Sequence, residues 1–334
     1  MKGTQEQIIP QEIVKAIQSA GNVVLFTHIH PDGDALGSLF GFAEILDSLG
    51  KNVFCFLEEP VSHLYDFLPA SGRASIVFDE YLEFVRSAGV DIVAVALDCG
   101  DSDRLGAFKD EFLKVIPFVV VDHHQSHRDF GTMRWVAADR SSTGEMVYEL
   151  GLALKADITY NCAYNLYVAI CTDTGSFRYE CTRPRTMQIA AELLERGVQA
   201  QEVGGHLYDN YSPQRLKLLE MILSTMTLSG HGTVAFIHVS QQMLKESGAT
   251  LQDVEGFIDF PRSIRTVKVA AFVKESKPGI VAVSLRAKGD CDVAAIAKEF
   301  NGGGHRSAAG FRCLDRTIAE VEREVEEKIH MALK

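Results

Sequence analysis

Four apolar runs of this chain end in side chains that bind cations. The run NVVLFTH (22–28) opens into IHPDGD, which sets His28, Asp32 and Asp34 at H-x-x-x-D-x-D spacing. DIVAVALDC (91–99) carries Asp98 near its end, and FVVVDHH (118–124) finishes on Asp122, His123 and His124. In AICTDTGSF (169–177) an apolar helical pattern meets a Thr-Gly turn at Asp173. Taken singly, each has an ordinary structural role. Asp32 or Asp34 could cap the helix that follows, Asp98 could be a loop acid, and His123 could be a hydrogen-bonded core imidazole. Brought together, the carboxylates of Asp32, Asp34, Asp98 and Asp173 would repel one another and be costly to desolvate. Two divalent cations resolve that conflict, since they match a ligand charge of about −4. Hard oxygen donors mixed with imidazole, with no thiolate, favour Mn²⁺ or Mg²⁺ over a structural zinc. A pair of such ions suits a displacement at phosphorus, because it can bind both the attacking and the leaving oxygen.

Such a cluster needs a scaffold that brings strand ends to one edge. NVVLFTH, NVFCFLE (52–58), DIVAVALDC and FVVVDHH alternate with helical patterns such as ALGSLFGFAEILDSLG (35–50). Apolar strands alternating with helices predict a mainly parallel sheet covered on both faces, whose carboxyl edge is where ligands bind. From 141 to 200 the pattern turns helical, and SPQRLKLLEMILSTMTLSG (212–230) reads as a connecting helix. The pattern then restarts with GTVAFIHVS, TVKVAAFVKES and GIVAVSLRAK, the last two forming a hairpin around Lys-Pro-Gly. A short helix, the glycine-rich NGGGHRSAAGF and a C-terminal helix follow. The expected organisation is α/β: a metal-binding domain over 1–205, a connector over 206–230, and a smaller α/β domain over 231–334.

At 334 residues, with 46% hydrophobic and 23% charged residues, the composition is that of a globular protein with room for two domains. No apolar run approaches the roughly 20 residues of a membrane span, and the N-terminal stretch reads as amphipathic, not as a signal peptide. Seven cysteines form no C-x-x-C pair and several lie in apolar runs, which points to reduced core residues and to the cytoplasm. The net charge of −12 argues against coating long nucleic acid. Residues 1–212 hold 16 Lys+Arg against 30 Asp+Glu, while residues 213–334 hold 17 against 15. Within the latter, Arg262, Arg265, Lys268, Lys274, Lys277, Arg286 and Lys288 are interrupted by one acid, Glu275. This asymmetry suggests metal in the first part and an anionic substrate in the second, or more simply a solvated strand pair.

HPDGD, the Asp98 strand end, DHH and the acid of AICTDTGSF resemble the four motifs of the DHH phosphoesterase superfamily. NGGGHRSAAGF resembles the signature loop of its DHHA1 substrate domain. The shared order spans nearly the whole chain, and its length and arrangement are similar to the compact oligoribonuclease (nanoRNase) and 3′-phosphoadenosine 5′-phosphate (pAp) phosphatase branch. The resemblance implies one ion held by His28, Asp32 and Asp98, and a second held by Asp34, Asp98, His123 and Asp173, with Asp98 bridging. It implies that His124 faces the scissile phosphate and that Asp122 orients an imidazole. His30 and His127 match no ligand position and are read as structural or surface residues. Gly302, Gly303 and Gly304 would let backbone N–H groups approach an anion, with His305 and Arg286 gripping a terminal phosphate and Arg262 a weaker candidate.

The implied activity is two-metal hydrolysis of short oligoribonucleotides, of linear dinucleotides such as pApA, and of pAp. A cyclic-dinucleotide phosphodiesterase is the near alternative, and a non-catalytic nucleotide-binding module the more distant one. Manganese pyrophosphatases lack the GGGH loop, and a nuclease for long DNA would need a more basic groove. The expected site is a cleft between the two domains. No long nucleic acid and no membrane are expected as partners, and a homodimer is compatible with this reading.

Overall fold

A strand covered on both faces must be apolar along its buried length, and β1 (Asn22–Phe26) meets that condition from Val23 onward. Val23 and Leu25 enter one core while Val24 and Phe26 enter another. The computed structural model describes residues 8–333, and the chain divides between Leu207 and Tyr208 into two units. In the first unit, β1 is joined by β2 (Asn52–Phe56), β3 (Ala74–Ser75), β4 (Ile92–Leu97), β5 (Phe118–Asp122) and β6 (Met133–Val136). The sheet order is β3-β2-β1-β4-β5-β6, and every pairing is parallel. The order reverses at β1, with β2 on one side and β4 on the other. At such a switch point a crevice opens beyond the carboxyl ends of the strands. The strands expected from their apolar runs are all present. β3 and β6 were not expected: one is two residues long, and the other buries only Trp135.

Three helices on one face of this sheet set the geometry of its carboxyl edge: Gly33–Ser48, Thr143–Leu154 and Tyr160–Asp173. The first and third approach closely because Gly33, Gly37 and Gly41 offer no side chain at their contact. A Cβ on Gly37 would collide with the Asn165 carbonyl oxygen and lie 2.9 Å from Ala169 Cβ. A Cβ on Gly33 would likewise strike the Thr172 side chain. This contact sets the start of one helix, with Asp34, beside the end of the other, with Asp173.

The second unit is a six-stranded sheet of order β11-β12-β10-β9-β8-β7. Its strands are β7 (Thr227–Ser229), β8 (Val234–Val239), β9 (Val269–Lys277), β10 (Ile280–Ala287), β11 (Gly303–His305) and β12 (Ala308–Leu314). Only β8 and β9 pair in parallel. Helices Val293–Glu299 and Ile318–Ala332 cover one face. Of the segment read as a connector, helix Pro213–Ser224 belongs to this unit. Its Leu218, Leu219 and Ile222 share a core with Ala235, Ile237 and Val239, because an amphipathic helix gains more from burying its apolar stripe than from bridging in water. Among the described residues no helix is long and apolar enough to cross a membrane.

The helix contact makes a signed prediction. Alanine is favoured over glycine in a helix by about 1 kcal/mol, so Gly204→Ala, where a Cβ meets nothing within 4 Å, should raise stability by up to that amount. Gly37→Ala should instead lower it, since overpacking against backbone costs about 1–3 kcal/mol. Urea denaturation midpoints of the two variants, moving in opposite directions, check both.

Candidate metal centre

The expected ligands gather at the carboxyl edge of the first sheet. His28 lies two residues beyond β1, Asp98 directly follows β4, Asp122 ends β5, and His123 and His124 follow it. Asp98 sits at φ 56°, a left-handed conformation that aspartate tolerates better than most residues but that still costs about 1 kcal/mol or more. The turn places its two oxygens in different surroundings. Oδ2 is 3.5 Å from His28 Nε2, and Oδ1 is 3.5 Å from His123 Nε2. His28, Asp32 and Asp98 can present ligand atoms within 4.8 Å of one another, and so can Asp34, His123 and Asp173. Asp98 therefore stands between two donor groups with one oxygen toward each.

His123 Nε2 lies 3.6 Å from Asp34 Oδ2, 3.5 Å from Asp98 Oδ1 and 3.5 Å from Asp173 Oδ2. These separations exceed the roughly 2.7–2.9 Å of a direct charge-assisted hydrogen bond. Their near equality suits ligands arranged about a shared centre. Nδ1 of His123 faces the Arg140 carbonyl at 3.4 Å, and Nδ1 of His28 faces the Ile29 carbonyl at 2.8 Å. With the proton on Nδ1, Nε2 of His123 is left to bind a cation, whereas Nδ1 of His28 stands between the Ile29 carbonyl and an Arg104 guanidinium nitrogen, also at 2.8 Å. Asp32 is exposed and caps its helix by accepting from Ala35 N–H at 3.1 Å. Its structural role and its candidate ligand role thus coexist.

Electrostatics point the same way. Burial raises the Asp34 carboxyl well above its usual range, and Asp98 and Asp173 add to the rise. Burial likewise pushes Asp173 up to about 6. Asp98 is held well below the carboxylate range despite burial, because His123, His28 and His124 favour its charge. His123 is raised well above the imidazole range, its burial outweighed by Asp173, Asp98 and Asp34. Without cations these acids compete for one imidazole, and Asp34 and Asp173 hold their protons to higher pH than an ordinary carboxyl. Divalent ions fit this donor set of oxygens and imidazole nitrogens. The neighbouring Cys99 offers no soft alternative, since burial pushes its thiol up to about 12.

Two features around the ligands were not found from the sequence. Thr143 N–H and Gly144 N–H donate to the two oxygens of Asp34 at 2.8 and 2.9 Å, and Thr143 Oγ1 donates to Asp98 Oδ1 at 2.9 Å. A helix N-terminus therefore grips one acid while its first hydroxyl holds another. The S-T-G-E of the turn shows a helix start, with Ser142 accepting from Glu145 N–H at 3.1 Å, but nothing local reveals its partners. The second feature is His127. Of the structural and surface roles expected for it, the structural one holds: its side chain is largely covered and its Nδ1–H donates to Asp122 Oδ2 at 2.7 Å, while His124 Nδ1–H donates to Oδ1 at 2.7 Å. Asp122 thereby orients two imidazoles and, opposing the effect of burial, raises His124. His30 is largely exposed and pairs with Glu59 at 2.7 Å.

In the second unit, Arg286 of β10 stands opposite Ala308, which stands opposite His305 of β11. Two of the three loop glycines have a structural reason. A Cβ on Gly302 would strike Phe311 and the Gly310 carbonyl, and Gly304, at φ 138°, would clash with Ala309 across the β11–β12 pair. Gly303 lies in the same strand. Arg262 lies off the sheet in the short helix Asp259–Ser263, near enough to Lys288 to add to the lowering of its amine by burial.

Comparison with known proteins matches residues 22–170 to the DHH family N-terminal domain and residues 231–333 to the DHHA1 domain. The bifunctional oligoribonuclease and PAP phosphatase NrnA of Thermus thermophilus is 30% identical over 326 residues, covering 96% of this chain and 94% of its own. The chain belongs to the DHH phosphoesterase family. The Bacillus subtilis protein of the same name is 27% identical, covering 93% of this chain and 97% of its own. Among solved structures, an exopolyphosphatase-related protein from Bacteroides fragilis aligns with a TM-score of 0.86 at 28% identity, over 99% of this chain and 100% of that one. RecJ of Thermus thermophilus shares the fold at a TM-score of 0.57 and 13% identity, over 97% of this chain and 55% of that one. DHH phosphoesterases depend on divalent metal, and the His-Asp groups described here are the candidate ligands.

If Asp98 serves two ions, Asp98→Ala should lower bound Mn²⁺ from two equivalents to below one. Thr143→Val, which keeps the backbone N–H but not the hydroxyl, should weaken binding about 10–100-fold. Calorimetric titration with Mn²⁺ checks both. Two tightly held ions in the Asp98 variant would contradict the shared-ligand geometry.

Proposed function

We propose that this DHH protein is a two-metal phosphohydrolase that cleaves short oligoribonucleotides and linear dinucleotides such as pApA to mononucleotides, and converts pAp to AMP. The observation that carries the reading is Asp98, whose two oxygens face two separate sets of His and Asp donors. The shared names of the Thermus and Bacillus relatives support the substrate class. One ion is assigned to His28, Asp32 and Asp98, and the other to Asp34, Asp98, His123 and Asp173. Mn²⁺ is preferred over Mg²⁺ because two imidazoles enter the ligand set. When bound, such ions neutralise phosphate charge and acidify a water at neutral pH.

The protein's own groups do the rest. His124 is fixed through Nδ1 by Asp122, leaving Nε2 to donate to a non-bridging phosphate oxygen as charge builds there. His127 holds the other Asp122 oxygen, so the carboxylate cannot rotate away from His124. Arg286 and His305, with the N–H groups of Gly302, Gly303 and Gly304, are assigned to a remote phosphate of the substrate, and Arg262 to a peripheral contact. Binding energy from that remote group positions the reacting phosphate. A cytoplasmic location accords with seven free cysteines.

Kinetics on two substrates test this division. His124→Ala should lower kcat about 10²–10³-fold on pAp and on bis-p-nitrophenyl phosphate alike, with metal content unchanged. Arg286→Ala should lower kcat/KM on pAp roughly tenfold or more, and much less on the small ester, which has no remote phosphate. Equal losses on both substrates would assign Arg286 a structural role.

A further inference from the structure

The sheet face that bears Arg286 carries two more cations. Along β10, Val281, Val283 and Leu285 point into the helix-covered core, so Ala282, Ser284 and Arg286 project from the opposite face. The register sets Lys274 of β9 and Arg312 of β12 on either side of Ala282. Two rows result, Arg286–Ala308–His305 and Lys274–Ala282–Arg312. They are four residues apart along β10, or about 13 Å. Between them on β10 and β12 lie only Ser284 and Gly310, which leave the face low enough for a ligand to lie on it.

The side chains link the rows. Lys274 Nζ donates to Ser284 Oγ at 2.8 Å, which turns the amine from its own row toward Arg286. Burial first, and then the guanidinium of Arg286, push this amine down to about 8, with Arg312 adding to the effect and Glu255 opposing it. Arg312 is exposed. A half-buried lysine beside two guanidiniums is unfavourable by itself, and a polyanion laid along the face reverses the sign of that interaction.

We propose that Lys274 and Arg312 form a second phosphate subsite, which holds a backbone phosphate of an oligoribonucleotide whose other end is held at Arg286 and His305. The pair would then determine how substrates rank by length. This rests on the oligoribonucleotide reading above and deepens it. pAp is one nucleotide long and cannot span both rows, whereas a pentanucleotide can.

The test uses the full chain loaded with Mn²⁺ and the variants Arg312→Ser, Lys274→Gln and their combination. The ratio of kcat/KM for a five-nucleotide RNA to kcat/KM for pAp should fall about tenfold in the double variant. Binding of a phosphorothioate pentanucleotide should lose about 0.7 from the slope of log K against log salt for each phosphate contact removed. An unchanged ratio with an unchanged slope would overturn the subsite. If the double variant unfolds, Arg312→Ser alone, at an exposed position, gives the same two readings. If the unmodified protein hydrolyses neither substrate, the activity reading falls, and the salt slope still decides the subsite.

Discussion

The mutual repulsion of buried carboxylates is the constraint that the first unit is built around. Asp34, Asp98 and Asp173 all come within 3.6 Å of one imidazole nitrogen, in a place where like charges cannot all ionise unaided. Each is held there by something that works against relaxation. Asp34 is tied by two backbone N–H groups, Asp98 by a left-handed turn and a threonine hydroxyl, and Asp173 by a helix packed against glycines. A site that repels itself in the absence of cations gains most when they arrive. The fold therefore stores part of its metal affinity as preorganisation.

The same logic extends outward through the turn before helix Thr143–Leu154. Arg140 supplies the carbonyl that faces His123, and its Nε donates to Glu149 Oε2 at 3.0 Å. Glu145, itself buried, accepts from Ser141 Oγ at 2.5 Å and from Thr186 Oγ1 at 2.8 Å. These bonds pin the few residues that carry the Arg140 carbonyl and the Thr143 and Gly144 amides. A partly satisfied network would let those groups wander, and the ligands would wander with them. On the other side, Asp122 does the equivalent work for His124, with His127 as its second anchor.

Candidate ligand positions were legible in the sequence because several of them sit where an apolar run stops. A parallel sheet gathers such stops at one edge whatever the detailed packing. That is why His28, Asp98 and His123 stood out as candidates before any distance was known, and the family resemblance then implied their division between two ions. The residues that support them were not legible for the converse reason. Thr143 lies 109 residues from Asp34 and 45 from Asp98, and a threonine at a helix start looks the same whether or not its hydroxyl has a distant partner. His127 was left between a structural and a surface role because only the fold shows Asp122 within reach. β3 and β6 were missed because their pairing, not their composition, makes them strands. The glycine-rich loop was read for what it might bind, whereas Gly302 and Gly304 are also required by the backbone of β12.

The charge pattern explains how an acidic chain can favour a polyanionic substrate and still discriminate by length. With 30 acids against 16 bases in residues 1–212, the far field of that part repels phosphate. Attraction then depends on places where cations outnumber acids locally, such as the candidate metal cluster once loaded and the face bearing Lys274, Arg286 and Arg312. At physiological salt, screening limits each of these to about 8–10 Å. On the proposed subsite, each added nucleotide contributes favourably until the cationic rows are filled and gains little after that. A preference for short substrates on that subsite follows from where the positive charge ends.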